Sequence, residues 1–417
     1  MSSNKSGSTT TFTDTLGKTA LRVTGSGTPS SPIVLSYTAA GGAGSVTMNY
    51  VTKTVQTSFG CTGISDFGPT QENLVSSVVL QDGETYSFAY EATPGHSGNF
   101  TGRLASVTLP TGGTIAYTYS GGNNGVECAD GSTPGLTRTV NPGGQWSYTR
   151  TDVSGSEWKT VLTDPGSNVT TFYFQSVTPS QSIIPSFYET ERDLPGGLET
   201  SYSCYNGATK PCNTTTIPLP LTRRTVWTTM GSQTSEVDTT YDSTGYGLPT
   251  EVDEYSWGPS LSRKTIFSYN DSSCGVTNAH VIDRPCSVSI NNASSPVSGL
   301  YFSYDANGNL ITLTSGLSPT QLTQHFTYNS NGTMATSKDA AGNQTSYSYG
   351  GNSCGAFPDT VSFPLSLSAS AVWNCDGAVM TKSTDENSQS TTFSYDDMNR
   401  PTSTSYPDGG SVTTSYI

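Results

Sequence analysis

Aromatic and polar positions alternate in a pattern that repeats along the chain. Two aromatic residues flank one smaller or polar residue, and the successive pairs are Phe88/Tyr90, Tyr117/Tyr119, Trp146/Tyr148, Phe172/Phe174, Phe267/Tyr269, Phe302/Tyr304, Phe326/Tyr328, Tyr347/Tyr349 and Phe393/Tyr395. Residues two apart on a β-strand point to the same face. Each triplet therefore predicts a strand with two rings on one side and a polar residue on the other.

Turn signals flank these strands. One turn signal begins at the second aromatic, as in Tyr304-Asp305-Ala306-Asn307-Gly308 and Tyr328-Asn329-Ser330-Asn331-Gly332. The same pattern occurs in Tyr241-Asp242-Ser243-Thr244-Gly245, and in Tyr395-Asp396-Asp397-Met398-Asn399 an Asn replaces the Gly. Asp or Asn closes an Asx-turn through its side chain, and Gly or Asn tolerates positive φ. A second turn precedes each triplet, as in Asn141-Pro142-Gly143-Gly144. Two turns per repeat leave two short strands, so each repeat is predicted to be a β-hairpin.

Two of these segments carry a family resemblance. Tyr304-Asp305-x-x-Gly308-x-Leu310 and Tyr395-Asp396-x-x-Asn399-Arg400 resemble the YD repeat of Rhs proteins, which the C components of insecticidal toxin complexes and the animal teneurins share. The resemblance covers residues 80–417 and is strongest after residue 300. It implies an all-β strip of hairpins that spirals into an open or partial hollow shell, often around a toxic C-terminal domain.

The chain departs from that family in two places. Rhs shells that cut off their cargo end in paired aspartates in D-P-x-G-L contexts, whereas this chain has Asp164-Pro165-Gly166-Ser167 in mid-sequence, so we expect no self-cleavage. The register also calls for a further turn after Tyr416, and we therefore expect a strip truncated at its C-terminus. Its last strand carries Val412, Tyr416 and Ile417 without a guarding Lys or Pro, which predicts a mobile or self-associating edge.

The repeat also predicts how the chain is organised. We expect a flexible leader at residues 1–10, irregular hairpins at 11–79 and the YD-repeat strip at 80–417. The strip is least regular at 175–260 and most regular at 300–417. Irregular parts of repeat arrays often hold insertions that serve as binding loops.

Composition and charge narrow the class of protein. Hydrophobic residues make up 32% and charged residues 12% of 417 residues, and 128 are Ser or Thr. This favours strands over helices and excludes a helical or α/β protein. A net charge of −14 argues against nucleic acid as a partner. No run is long and apolar enough for a membrane span, and the opening residues lack a signal peptide.

The eight cysteines fall into close couples. Cys204 lies near Cys212, Cys274 near Cys286 and Cys354 near Cys375, which leaves Cys61 and Cys128. No C-x-x-C spacing indicates zinc, and we favour four disulfides over free thiols. Disulfides predict an extracellular or cell-surface location.

Candidate catalytic residues are few. The sequence has no G-x-S-x-G, P-loop, G-x-G-x-x-G or H-E-x-x-H motif. His96, His280 and His325 lie far apart and are interpreted as surface or structural residues. We expect no cofactor and no metal.

One acidic cluster has two interpretations. Glu189, Glu191 and Asp193 alternate with other residues, so all three would face one way on a strand, and Glu251 with Asp253 repeats this on a smaller scale. Such carboxylates suit calcium or acid and base roles on a glycosidic bond. We favour a solvated strand face that stays charged to prevent edge pairing.

The sequence thus predicts a non-catalytic scaffold of the Rhs type. Its partners would be an enclosed protein cargo or a cell-surface glycan or protein. The alternative is a carbohydrate-active protein, either a glycan binder whose tyrosines stack on sugars or a hydrolase that uses the acidic cluster.

Overall fold

The structure, a computed structural model, describes residues 2–14, 17–62, 64–128, 133–180, 182, 184–242, 246–269, 274–276, 280–292, 295–351 and 354–416. Strands hold 57% of the residues and helix 3%, in short 3₁₀ turns. The all-β prediction is confirmed. It follows from a chain that is rich in Thr, Ser, Tyr and Val and poor in residues that favour helices.

The structure contains 31 strands in the described part of the chain. In chain order they are β1 Ser2–Ser6, β2 Thr9–Thr13, β3 Thr19–Thr24, β4 Ile33–Thr38, β5 Ala43–Val55, β6 Thr70–Val79, β7 Thr85–Ala92, β8 Phe100–Thr108, β9 Thr114–Gly121, β10 Pro134–Asn141, β11 Gly144–Ser154, β12 Glu157–Thr163, β13 Val169–Val177, β14 Ser186–Asp193, β15 Thr200–Tyr205, β16 Arg223–Met230, β17 Gln233–Tyr241, β18 Pro249–Tyr255, β19 Leu261–Tyr269, β20 Pro285–Asn292, β21 Ser295–Tyr304, β22 Leu310–Ser315, β23 Leu322–Tyr328, β24 Met334–Lys338, β25 Gln344–Ser348, β26 Thr360–Ser362, β27 Ser368–Asn374, β28 Val379–Thr384, β29 Ser390–Tyr395, β30 Pro401–Ser405 and β31 Ser411–Thr413.

The strands fall into two units. The first unit comprises Met1–Ser58, Phe67–Gly113 and His325–Ile417, and the second comprises Phe59–Asp66 and Thr114–Gln324. In the first unit, β1 to β8 pair antiparallel in chain order, and so do β23 to β31. In the second unit, β9 to β22 do the same. Each unit is thus built from consecutive hairpins.

The described residues near the start of the chain, where the sequence predicted a flexible leader, lie in paired strands. β1 and β2 form a hairpin in which Ser3 pairs with Phe12, and β2 pairs in turn with β3. The physical reason is that a run of Thr residues around Phe12 favours extended backbone, and a neighbouring strand supplies hydrogen-bond partners. Strand pairing also continues through residue 80, since β6 pairs with β7.

Little of the molecule lies in an apolar core. Among the described residues, eleven apolar side chains are buried, and six of them are half-cystines: Ala39, Val55, Cys61, Cys128, Cys204, Tyr205, Cys212, Ile217, Cys274, Cys286 and Tyr304. The accessible surface is 22906 Å² for a mass of 43.8 kDa. A compact monomer of that mass would expose about 15,400 Å². Apolar burial therefore contributes less to this chain than to a compact monomer of the same mass.

Four disulfides supply part of the stability that a larger apolar core would provide. The pairs are Cys61–Cys128, Cys204–Cys212, Cys274–Cys286 and Cys354–Cys375, and all eight cysteines are paired as expected from their spacing. The Cys274–Cys286 bridge packs with Tyr304 in one buried cluster. In the described residues, no helix is long and apolar enough to cross a membrane.

Candidate functional site

In several repeats, the second aromatic follows a β-bulge. In the pair β21 and β22, Ser303 lies opposite Thr312, but the next residue, Tyr304, lies opposite Leu310. One residue of the following strand is therefore left without a partner in the ladder. The same shift precedes Tyr50, Tyr90, Tyr241, Tyr255, Tyr269, Tyr328, Trp373 and Tyr395. A bulge bends the strand and increases its twist, so these repeats share a bend at the same point of the hairpin.

Tyrosine hydroxyls connect one bulge to the next repeat. The Tyr304 hydroxyl donates to the Pro285 carbonyl at 2.8 Å, and Pro285 is the residue that pairs with the preceding repeat tyrosine, Tyr269. Tyr395 likewise donates to Met380, the partner of Trp373, at 2.8 Å. The bulge disrupts the ladder at these carbonyls, and the hydroxyl supplies a donor.

The same link occurs in the described residues near both ends of the chain. Tyr90 donates to the carbonyl of Val75, the partner of Tyr50, at 2.7 Å. Tyr416 donates to the carbonyl of Pro401, the partner of Tyr395, at 2.9 Å. We call this arrangement the tyrosine link. It couples consecutive hairpins through a side chain as well as through backbone pairing.

The residue after the tyrosine closes the turn. In the turn of Asp305, the Asp305 N–H donates to the Asn309 carbonyl at 2.9 Å, and the Asn309 N–H donates to Asp305 Oδ1 at 2.9 Å. The Gly308 N–H donates to the Asp305 carbonyl, and Gly308 has a φ of 82°. Asp396, which also follows a tyrosine, repeats these bonds, and so do Asp164, Asp339 and Asp385, which follow other residues. These aspartates therefore stabilise the turns through their hydrogen bonds.

The residue at the fourth position of these turns adopts the left-handed backbone conformation, with positive φ. Besides Gly308, this position is occupied by Gly332, Gly342, Ser167, Ser388 and Asn399, all with positive φ. Asn399, which replaces the Gly after Tyr395, has a φ of 60°. Asp242 anchors a longer loop in which the Leu248 N–H donates to its Oδ1 at 2.7 Å. Gly245 of that loop lies outside the described residues.

Hydrogen bonds hold the turn carboxylates in their ionised form. The Asn343 side-chain amide and backbone N–H both donate to Asp339 and lower the pKa of its carboxyl. Asn168 lowers the pKa of Asp164 and Asn309 lowers that of Asp305 in the same way. A protonated carboxyl accepts fewer of these bonds, so the charged form is favoured.

The structure separates the three carboxylates of the acidic cluster. Phe174 pairs with Glu189 while its neighbour Tyr173 pairs with Glu191, so a bulge at Thr190 places Glu189 on the opposite face. There Glu189 forms an ion pair with Arg192 at 2.8 Å. The expectation that all three face one way is thus wrong for Glu189, because alternation fails across a bulge. Glu191 and Asp193 do share a face.

Glu191 belongs to a row of side chains that crosses six strands. We call this row the aromatic–acidic ladder. Its members lie directly opposite one another on β13 to β18: Tyr173, Glu191, Tyr202, Trp227, Glu236 and Tyr255. Directly opposed side chains are close enough to interact across strands. No sequence pattern predicts the ladder, because its members come from strands whose register cannot be known in advance.

At the end of the ladder formed by Tyr173, Glu191 and Tyr202, the surroundings raise the pKa of all three groups. Burial and the hydrogen bond to Glu191 raise the pKa of Tyr202 to about 12. Burial, together with Asp193 and Glu157, raises the pKa of Glu191, while the hydrogen bond from Tyr202 acts against this. Burial and the same carboxylates raise the pKa of Tyr173. This face is therefore polar, acidic and half-buried.

The remaining candidates are placed apart from one another. Lys264 bridges Glu251 at 2.6 Å and Asp253 at 3.2 Å, so these two carboxylates share a face and a counter-ion. His96, His280 and His325 are all exposed. No group of three or more His, Cys, Asp or Glu side chains in the described residues is arranged to hold a metal ion.

These features define an all-β scaffold of repeated hairpins, in which bulges, tyrosine links and aspartate turns recur at equivalent positions of several repeats. Residues 376–411 match the family model described as RHS Repeat, which confirms the resemblance to the Rhs/YD-repeat family. This segment contains Tyr395, Asp396 and Asn399.

The chain is also similar to solved structures. The chain is similar to the crystal structure of TcdB2-TccC3 without its hypervariable C-terminal region, at 10% identity and a TM-score of 0.37, over 93% of this chain and 24% of that chain. It is also similar to the crystal structure of TcdB2-TccC3-TEV, at 10% identity and a TM-score of 0.25, over 93% and 23%. The chain thus spans about a quarter of the length of these proteins. No curated protein sequence matches it.

Proposed function

We propose that the chain is a wall segment of an Rhs-type shell that encloses a protein cargo outside the cytoplasm. The observation that carries this proposal is the accessible surface of 22906 Å² with only eleven buried apolar side chains among the described residues. A domain that folds around its own core buries far more. A sheet with two open faces is suited to dividing one compartment from another.

The repeat joints support the same function. A single layer gains little stability from apolar burial, so it needs other restraints. The tyrosine links, the aspartate turns and the four disulfides supply them at regular points. Disulfides persist in oxidising compartments, which supports an extracellular location. Attachment at a cell surface, through a glycan or a protein, belongs to this proposal.

Protease protection tests enclosure. A protease-sensitive reporter peptide would be fused after residue 417, where the family resemblance implies the cargo, and the same reporter would be fused before residue 2 as the matched control. Enclosure predicts slower cleavage of the C-terminal reporter by a protease that leaves the scaffold intact. Equal cleavage rates for the two reporters would contradict enclosure.

The hydrolase alternative stays a prediction for Glu191 and Asp193. Release of reducing sugar by the purified chain, abolished in Glu191→Gln, would support it. Glu189→Gln is the matched control, because Glu189 lies on the opposite face and pairs with Arg192.

A further inference from the structure

A cleft of about 380 Å³ opens at one end of the aromatic–acidic ladder. Two tryptophans, Trp227 and Trp257, line it together with Glu236, Gln233 and Lys210. All of these residues lie in the second unit. Sites for small ligands typically measure about 300 to 1,000 Å³ and combine apolar surface with a few placed polar groups. The cleft has both properties.

Strand register sets the inner wall of the cleft. Trp227 on β16 lies directly opposite Glu236 on β17, and its Nε1–H donates to Glu236 Oε2 at 2.8 Å. This bond satisfies the only polar atom of the indole and fixes the plane of the ring. The second oxygen of Glu236 keeps lone pairs with which it can accept further hydrogen bonds.

Trp257 forms the outer wall. It lies in the loop between β18 and β19 with 46% of its surface exposed and a φ of 39°. A bulky residue at positive φ is a conformational outlier, and such outliers cluster at ligand sites. Neither its backbone conformation nor its own burial accounts for a tryptophan at this position, whereas a ligand stacked on the indole would.

Lys210 closes a third side. Its Nζ lies 5.8 Å from the centre of the Trp227 ring. The residue sits in the loop that the Cys204–Cys212 disulfide closes, and both cysteines are buried. The disulfide therefore limits how far Lys210 can move from the cleft.

These groups select the chemical class of the ligand. A cation is disfavoured because Lys210 already occupies the cation position beside Trp227. An anion is disfavoured by Glu236 and by the net charge of −14. A fully apolar molecule would offer no hydrogen bonds to Gln233, Lys210 or the second carboxylate oxygen of Glu236. What remains is a neutral molecule with an apolar face and a polar rim.

We propose that this cleft binds a neutral saccharide. A pyranose ring presents C–H groups on its face, which pack on an indole, and hydroxyls at its rim. Each hydroxyl donates and accepts, so Glu236 receives a hydrogen bond while Lys210 and the Gln233 amide donate. The Trp227 and Trp257 faces provide the stacking surfaces. The site is independent of the wall function, since a wall needs no saccharide and a binder needs no cargo.

An array of neutral gluco-, galacto- and manno-configured di- to tetrasaccharides, probed with the full chain, tests the proposal. Binding to at least one of them is expected, with a shift of tryptophan emission on titration. Trp257→Ala should then weaken binding at least about tenfold, and Trp257→Phe should retain most of it because a ring remains.

The matched control is Tyr406→Ala. Tyr406 is 45% exposed, like Trp257, but lies in the first unit, so this variant should bind as the wild type does. Absence of binding to every neutral saccharide at millimolar concentration would overturn the proposal. So would equal affinity of wild type and Trp257→Ala, or binding restricted to charged glycans.

Discussion

Arg400 joins two aspartates that lie 4 and 318 positions away in the sequence. Its Nε donates to Asp396 at 2.7 Å, and its Nη1 donates to Asp82 at 3.1 Å. Nearby, the Ala40 N–H donates to Asn399 Oδ1 at 2.8 Å. Within the first unit, the turn of the RHS repeat thus contacts turns from hairpins at the other end of the sequence.

Removing this contact should loosen both partners at once. We expect Arg400→Ala to speed amide hydrogen exchange in residues 396–416 and also in the turn around Asp82, because the guanidinium bridges them. Hydrogen exchange with mass spectrometry measures both segments. Arg263→Ala is the control, since Arg263 pairs with Glu254 on the neighbouring strand and should change exchange only locally. Acceleration confined to residues 396–416 would contradict the bridge.

The tyrosine link can be tested by deleting one hydroxyl. Tyr304 is 7% exposed and donates to the Pro285 carbonyl. Tyr304→Phe leaves that carbonyl without its donor, so we expect a loss of about 1 to 2 kcal/mol in the free energy of unfolding. Tyr301→Phe, on the same strand but 42% exposed, should change it by less than about 0.5 kcal/mol. Urea unfolding followed by circular dichroism compares the two variants, and equal losses would argue against the link.

The aspartate turns predict a sign for the pH dependence. Folding lowers the pKa of Asp339, so its contribution to stability is complete above the unfolded pKa of about 4 and is lost as the pH falls through the folded value. We expect Asp339→Asn to show a smaller loss of stability than wild type between about pH 5 and pH 2. Asn329 already forms this turn in the chain, so the variant should fold. Urea midpoints across that pH range measure the difference, and parallel curves would contradict it.

Backbone strain at the fourth turn position predicts a stabilising substitution. Ser388 has a φ of 62° where other repeats have Gly. Ser388→Gly should stabilise the protein by about 0.5 to 1 kcal/mol, because it removes the left-handed penalty. Gly342→Ala should destabilise the protein by a similar amount, because Gly342 has a φ of 90°, which is strained for Ala. No backbone atom would clash with the added Cβ, so the conformational strain is the main effect of this substitution. Thermal unfolding of both variants checks the opposite signs, and shifts in the same direction would exclude the strain argument.

The expected self-association through the C-terminal edge stays a prediction, and Val412 tests it. This residue lies on β31, is 53% exposed and pairs with Thr404 of β30. A charge on an exposed edge strand opposes edge-to-edge pairing, so Val412→Lys should reduce any dimer seen by light scattering. Val237→Lys is the control, because Val237 is 39% exposed but lies on a strand with neighbours on both sides. A dimer that both variants leave unchanged would rule out the edge.

Local features of the fold could be predicted from the sequence. The turn of Asp305 and Gly308 depends on five consecutive residues, and the Asx-turn and positive φ follow from their side chains. The couples Cys204/Cys212 and Cys274/Cys286 are close in sequence, so their pairing needed no knowledge of register. Asn399 in place of Gly was predictable for the same reason.

Features that depend on strand register could not be predicted. The tyrosine link requires knowing that Pro285 lies opposite Tyr269, which emerges only when neighbouring hairpins pair. The bulge at Thr190 moved Glu189 to the other face, and period-two alternation assumes that no bulge is present. Trp227 and Trp257 meet only through the pairing of β16 with β17 and of β17 with β18.

The tyrosine link is the same coupling at every joint where it occurs. A bulge on one hairpin leaves a backbone carbonyl free of the ladder, and the tyrosine hydroxyl of the next hairpin donates a hydrogen bond to it. The same bond forms whichever hairpins lie on either side. A whole repeat can therefore be gained or lost while the flanking joints re-form with identical atoms. A chain built this way changes length in hairpin steps, without redesign of the remaining repeats.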